Sequence, residues 1–261
     1  MKKLFGLLLV ALAIVACNKV PEDAAILSGK VENAKGVKKM EVRGNSDFSK
    51  IIELKEDGTF LDTLQPVKSG YYTLIAGRAG FPVYLEAGDN LKVSIDMANK
   101  EKPIMFSEGK AVAANNYIVK KEKISKDKVA EVGGLRAFYS LDEDKFLAAS
   151  NEIVTKNLKL LEESKDLPKD FVTMEKKRID YEQLYNFTTY SKYHGSLVKD
   201  KEYKPSEKIM KPLEKITYNN VADYENIPTY KQIVLGYFRD KVHKYGSKEE
   251  VVEEVKNTGI E

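Results

Sequence analysis

The sequence predicts an α+β fold, an N-terminal antiparallel β-sandwich followed by an all-helical segment. Three observations predict it. Short β-branched and aromatic runs separated by glycine turns fill residues 24 to 106. From Glu108 the apolar spacing changes to the helical period. Hydrophobic residues make up 43% of the chain and charged residues 32%, as in a globular rather than a disordered protein.

The elements follow in order. Lys2 and Lys3 open the chain, and an apolar run from Leu4 to Ala16 is broken only by Gly6. A positive start and a short apolar stretch make a secretory signal over residues 1–16, too short for a membrane span of about 20 residues. Residues 17–23 read as a linker. The strands begin with "ILSGKVEN", then an Ala-Lys-Gly turn, "VKKMEVRG" and "KIIELK". Asp57-Gly58 in "EDGT" suits the positive φ of a hairpin. "FLDTLQ" alternates, with Phe60, Asp62 and Leu64 on one face. "GYYTLIAG" and "FPVYLEA" follow. "GDN" turns the chain into "LKVSID", where Leu91, Val93 and Ile95 share a face. Seven or eight short strands suit a sandwich or a barrel, and the sandwich, residues 24–107, is the expectation.

The helical segment covers residues 108–261. "KAVAANNYIVKKEK" has helical spacing. "DEDKFLAASNEIVTKNLKLLEESK" carries an apolar face of Phe146, Leu147, Ile153, Val154, Leu158 and Leu161, with Asp142 and Glu143 at its positive end. Pro168 opens the next helix, expected over 168–193 with a stop at His194-Gly195. A loop with Pro205 and Pro212 comes next, then a helix from Pro228 to Tyr245. Ser247 and Glu250 stand in capping-box register for one more. The helical pattern still runs at Glu261, so this segment is expected to be incomplete there.

Cys17 is the single cysteine in 261 residues, and it ends the apolar run. Ile14-Val15-Ala16-Cys17 resembles a bacterial lipobox. That resemblance implies an acylated Cys17 as first residue of the mature chain, with several acyl chains holding a soluble domain at a bilayer. Asn18 is not the aspartate that retains such proteins at the inner membrane. The expected place is therefore the cell envelope, lipid-anchored at the outer membrane and facing the periplasm, with either leaflet open.

"ILSGKVENAKG", "DGTF" and "FPVYLEAGDNLKVSID" resemble the N-terminal β-domain of a lipoprotein family of Gram-negative bacteria. Tyr84, Leu85, Glu86, Gly88, Asp89 and Asn90 match its closing motif, and Ala87 stands where proline is frequent. "MEKKRIDYEQLYNF" and "YKQIVLGYF" resemble its helical segment. Members commonly continue into a thioredoxin-like domain of the TlpA/ResA type with Trp-Cys-x-x-Cys, which implies thiol–disulfide exchange. This chain has no tryptophan and no Cys-x-x-Cys. Exchange needs a thiolate and a resolving thiol, so the family's catalytic residues carry over onto nothing here.

Composition excludes other classes. Lys2 and Lys3 leave with the leader, so 43 basic residues fall by two against 40 acidic ones, and no basic excess points to nucleic acid. His194 and His243 are the only histidines, a poor metal set. His194 reads as a cation at a helix C-terminus or on a solvated face. Asp142, Glu143 and Asp144 read as helix N-terminal charge. Gly77-Arg78-Ala79-Gly80 reads as a hairpin loop, and Ser46, Ser69 and Ser94 lack a nucleophile-elbow setting. Among 15 tyrosines, Tyr181, Tyr185, Tyr190 and Tyr193 cluster. They form either a binding surface for peptide or glycan or helix packing with hydroxyls at the rim, the second being favoured.

The expectation is thus a membrane-anchored, non-catalytic module with no cofactor and no metal. It positions a thioredoxin-like domain, in the same or a separate chain, or binds another partner. One alternative is the N-terminal part of a TlpA-like oxidoreductase. A second is a solute- or glycan-binding lipoprotein with a pocket lined by tyrosines.

Overall fold

A computed structural model describes residues 20–44, 47–249, 251 and 253. The leader, Cys17, Ser46 and most of the helix expected after Ser247 lie outside the described residues.

Eight strands precede seven helices among the described residues: β1 (Ala25–Glu32), β2 (Lys39–Gly44), β3 (Ser49–Glu53), β4 (Thr59–Leu64), β5 (Gly70–Ala76), β6 (Ala79–Leu85), β7 (Asn90–Asp96) and β8 (Ile104–Glu108). They form two four-stranded sheets, ordered β4-β1-β7-β8 and β3-β2-β5-β6. Alternation along each strand sends one set of side chains into the space between the sheets. Leu27, Met40, Val42, Leu64, Leu74, Val83 and Ile95 are fully buried there. Each such side chain contributes about 1.5–3 kcal/mol by leaving water. Leu91, Val93 and Ile95 share the buried face of β7 as expected, and so do Phe60 and Leu64 on β4.

Two sequence expectations change. The sheets are mostly antiparallel, but β1 and β7 run parallel, with Leu27 opposite Leu91 and Val31 opposite Ile95. Parallel neighbours need a long crossover connection, and the excursion through the second sheet supplies it. The Asp57-Gly58 turn forms, with Gly58 at φ +80° and its N–H donating to the Lys55 carbonyl at 2.9 Å. Yet β3 pairs with β2 while β4 pairs with β1. The turn carries the chain from one sheet to the other, because local turn chemistry does not choose a strand's partner.

The helices are α1 (Val112–Glu131), α2 (Leu135–Ser140), α3 (Glu143–Glu163), α4 (Lys169–Val198), α5 (Glu207–Glu214), α6 (Val221–Asn226) and α7 (Pro228–Gly246). Tyr117 and Ile118 of α1, Leu161 of α3, and Phe171 and Ile179 of α4 belong to the same apolar cluster as the sandwich interior. The composition change near residue 108 is therefore no break in the core.

The helix expected to stop at His194-Gly195 continues to Val198, and Lys199 ends it in the left-handed region at φ 62°. Gly195 is there for close approach. A Cβ on it would lie 2.7 Å from the Asp200 carbonyl oxygen and 3.2 Å from Tyr203 Cβ, where the chain doubles back. The loop expected around Pro212 contains α5, capped by Ser206, whose Oγ accepts from Lys208 N–H. Pro212 cannot donate an i→i−4 bond, and α5 ends two residues later. Asn220 caps α6 in the same way, accepting from Asp223 N–H at 3.0 Å.

Candidate functional site

The helices meet the sandwich at its β6 edge. An outer strand leaves backbone groups unpaired. Asn115 of α1 takes them up: its Oδ1 accepts from Tyr84 N–H, and its Nδ2 donates to the Tyr84 carbonyl, both at 2.8 Å. Asn115 is completely buried. Asp89 prepares the same junction. It is buried just before α1, and its carboxylate accepts from Lys110 N–H at 2.7 Å and Ala111 N–H at 2.9 Å. This gives the "GDN" turn a second role, since Asp89 holds the entry to the first helix while the turn carries the chain from β6 in one sheet to β7 in the other.

Deeper in the junction lies an ionic network. Glu175 on α4 is fully buried, and Lys121 on α1 nearly so. Lys121 Nζ donates to Glu175 Oε2 and to Glu182 Oε1, both at 2.9 Å. Arg178 lies 3.3 Å from Glu175, 2.9 Å from Glu182 and 3.5 Å from Glu122. Its guanidinium also sits 4.7 Å from the centre of the Tyr71 ring. The Tyr71 hydroxyl, from β5, donates to Glu175 Oε1 at 2.6 Å.

Burial alone would push the Glu175 carboxyl up. The charges of Lys121 and Arg178, with hydrogen bonds from Tyr71 and Lys121, hold it below its ordinary range. Burial, followed by the adjacent Glu175 charge, drives the Tyr71 phenol well above its usual value. Glu175 therefore stays ionised and the Tyr71 phenol protonated at neutral pH.

Beside the network a cavity of about 250 Å³ opens between α1, α3, α4 and α7. Glu122 and Glu182 border it, and Ser150 and Asn157 of α3 line it. Both α3 residues are 1% exposed, and neither Ser150 Oγ nor Asn157 Oδ1 has a hydrogen-bond partner among the described residues.

A third feature faces outward. α7 turns Tyr230, Ile233 and Val234 inward. Its C-terminal part exposes Leu235 (45%), Phe238 (52%), Val242 (70%) and Tyr245 (61%). Spacings of three, four and three residues put these four on one helical stripe. Lys192 on α4 reaches Asp240 at 2.5 Å and ties α7 to the body.

The tyrosines singled out from sequence do not share one surface. Tyr190 is completely buried, stacked 3.9 Å from Phe146, and its hydroxyl donates to the Leu141 carbonyl at 2.8 Å. A fully buried side chain cannot belong to a binding surface. Tyr181 packs on Tyr230 and donates to Asp223 Oδ2 at 2.7 Å. Tyr185 borders the cavity, and Tyr193 is half exposed with Lys192 over its ring.

His194 corrects a further expectation. It is buried inside α4, stacked on Tyr190 at 4.4 Å and tilted against Tyr203 at 4.5 Å, with Nδ1 at 2.9 Å from the Tyr139 carbonyl. The helix's extension past Gly195 moves it away from a terminus. Asp142 caps α3 as read. Glu143 does more, accepting from the Tyr203 hydroxyl at 3.0 Å and from both Ser206 groups, so it anchors the loop before α5. Gly77-Arg78 forms the hairpin between β5 and β6. Among the described residues no cluster of three His, Cys, Asp or Glu is placed to hold a metal ion, and no helix is long and apolar enough to cross a membrane.

Lys121, Glu175, Arg178 and Asn115 escaped sequence reasoning as a set. One signal was present: Glu175, Arg178 and Glu182 follow helical spacing beside the apolar Ile179, so charge falls on an inward stripe. No protein-family model, no curated protein and no solved structure matches the chain.

Proposed function

We propose that this chain is a membrane-anchored, non-catalytic module of the cell envelope that positions a thioredoxin-like oxidoreductase domain against α7. The observation that carries the reading is the exposed stripe of Leu235, Phe238, Val242 and Tyr245 on a helix that is buried only through Tyr230, Ile233 and Val234 in its first half. A contiguous apolar stripe of this kind marks a surface for a partner. The body behind it is suited to a mount, because Asn115 and the Glu175 network join sandwich and helices through buried bonds. The lipobox at Cys17 supports the anchor, and the single cysteine supports assigning the redox step to the partner.

A photo-crosslinking residue placed at Val242 in intact cells tests the reading. The expected adduct contains a thioredoxin-like domain with Cys-x-x-Cys. Adducts only with proteins lacking such a domain, or with lipid, would overturn it.

A further inference from the structure

We infer that the partner carried on the α7 stripe presents an apolar patch rimmed by carboxylates, and that Arg239 and Lys241 read that rim. This inference rests on the reading just given and names the chemistry of the partner's face.

At about 100° per residue, Leu235, Phe238, Val242 and Tyr245 span about 80° of the helix surface. Arg239 falls about 40° beyond Leu235 on one side, and Lys241 about 40° beyond Tyr245 on the other. Both are exposed. Among the described residues neither forms an ion pair, and Lys241 lies over the Tyr237 ring at 5.3 Å. Between Lys231 and Lys248 the only acidic residue is Asp240, which is tied to Lys192 of α4 at 2.5 Å. Positive charge therefore flanks the stripe on both sides.

A stable contact covers about 800 Å² on each partner. Large side chains bury about 150–250 Å² each when wholly covered, so the exposed parts of four supply less than this. The flanks of the stripe therefore come inside the contact. A cation taken from water without a counter-charge is costly. Carboxylates on the partner offset that cost, and they draw the two surfaces together before contact. An anionic bilayer would attract the same two cations. It would also meet Glu249 and Glu253, both exposed just beyond Lys248 in the acidic run "EEVVEE". A uniformly negative plane cannot favour both stretches, whereas a folded domain sets its charges residue by residue. The order of charge along the chain favours a protein.

The photo-crosslink at Val242 in intact cells supplies the test, with adducts mapped by mass spectrometry. The adduct with the thioredoxin-like domain is expected at an apolar residue neighboured by aspartate or glutamate. Reversing both flanks with Arg239→Glu and Lys241→Glu should cut its yield about tenfold or more, because like charges then face each other. Arg239→Gln with Lys241→Gln should cut it less. Both positions are exposed, so Tm should not change. Lysines placed at the mapped carboxylates of the partner should restore the yield with the Glu pair. An undiminished adduct in the Glu pair, or no recovery with the swapped partner, overturns the inference and leaves the docking reading standing. Absence of a thioredoxin-like adduct with the flanks unaltered removes that reading and the inference with it. Adducts with lipid alone, or with a second copy of this chain, overturn both.

Discussion

The Tyr71 hydroxyl and the Glu175 carboxylate lie 104 positions apart in sequence and meet at 2.6 Å inside the molecule. One belongs to a sheet of the sandwich and the other to the longest helix. Burying a carboxylate alone is prohibitive, and one lysine would offset only part of that cost. Glu175 is tolerated because Lys121, Arg178 and Tyr71 converge on it from α1, α4 and β5.

The first prediction follows from that convergence. Lys121→Met should destabilise the protein by about 3–5 kcal/mol, because it strips a buried carboxylate of one partner. Tyr71→Phe should cost less, about 1–3 kcal/mol. The double change Lys121→Met with Glu175→Leu should recover much of the loss, since apolar groups can replace a buried pair. Urea unfolding measures all three, and a double variant no more stable than Lys121→Met would contradict the account.

Acid should act through the same residue. The folded-state pKa of Glu175 lies below its ordinary value of 4.5. Its contribution to stability is therefore complete above pH 4.5 and declines as pH falls toward the folded value. Glu175→Gln should flatten that part of the acid limb, at the cost of lower stability at pH 7. Parallel acid limbs for both proteins would show that Glu175 gains no net stabilisation from its charge.

Asn115→Leu keeps the volume but leaves the Tyr84 N–H and carbonyl unpaired. At about 1–3 kcal/mol for each of the two orphaned groups, a loss of about 2–6 kcal/mol is expected. Hydrogen exchange gives a local readout, since the Tyr84 amide should exchange faster while the Val83 amide stays protected. Unchanged protection at Tyr84 would place its bond elsewhere.

Under the anchor proposal, Cys17→Ser should move the protein from the membrane fraction to the soluble one. A serine variant that stays with the membranes would remove the lipobox reading. Cys17 has no other assigned role.

The same serine variant tests the absence of catalysis. Disulfide exchange passes through a mixed disulfide that only a thiolate can form. No insulin reduction above the dithiothreitol background is expected, and turnover there would show a chemistry not assigned to this chain.

Local pattern made much of the fold legible. The alternation in "LKVSID", the positive φ at Gly58 and the apolar spacing of Phe146, Ile153 and Leu161 read correctly, because neighbours in sequence decide strand, turn and helix, whereas the hairpin expected at Gly58 is a link between the two sheets. The α4 end misled for a tertiary reason. Gly195 looks like a stop, but it is the point where Asp200 and Tyr203 pack against the helix. Pro212 misled likewise, sitting near the end of a short capped helix.

What the sequence by itself determined was the order of elements, the buried faces of the strands and the chemistry available, including a single thiol at the end of a leader-like run. Tertiary structure alone decided the parallel pairing of β1 with β7, the convergence of Lys121, Arg178 and Tyr71 on Glu175, and the scattering of Tyr181, Tyr185, Tyr190 and Tyr193 over different surroundings. The reason is one of range. Periodicity records which side of an element is apolar, while partners 54 or 104 residues apart are selected only when the whole core closes and each buried charge must find its counter-charge.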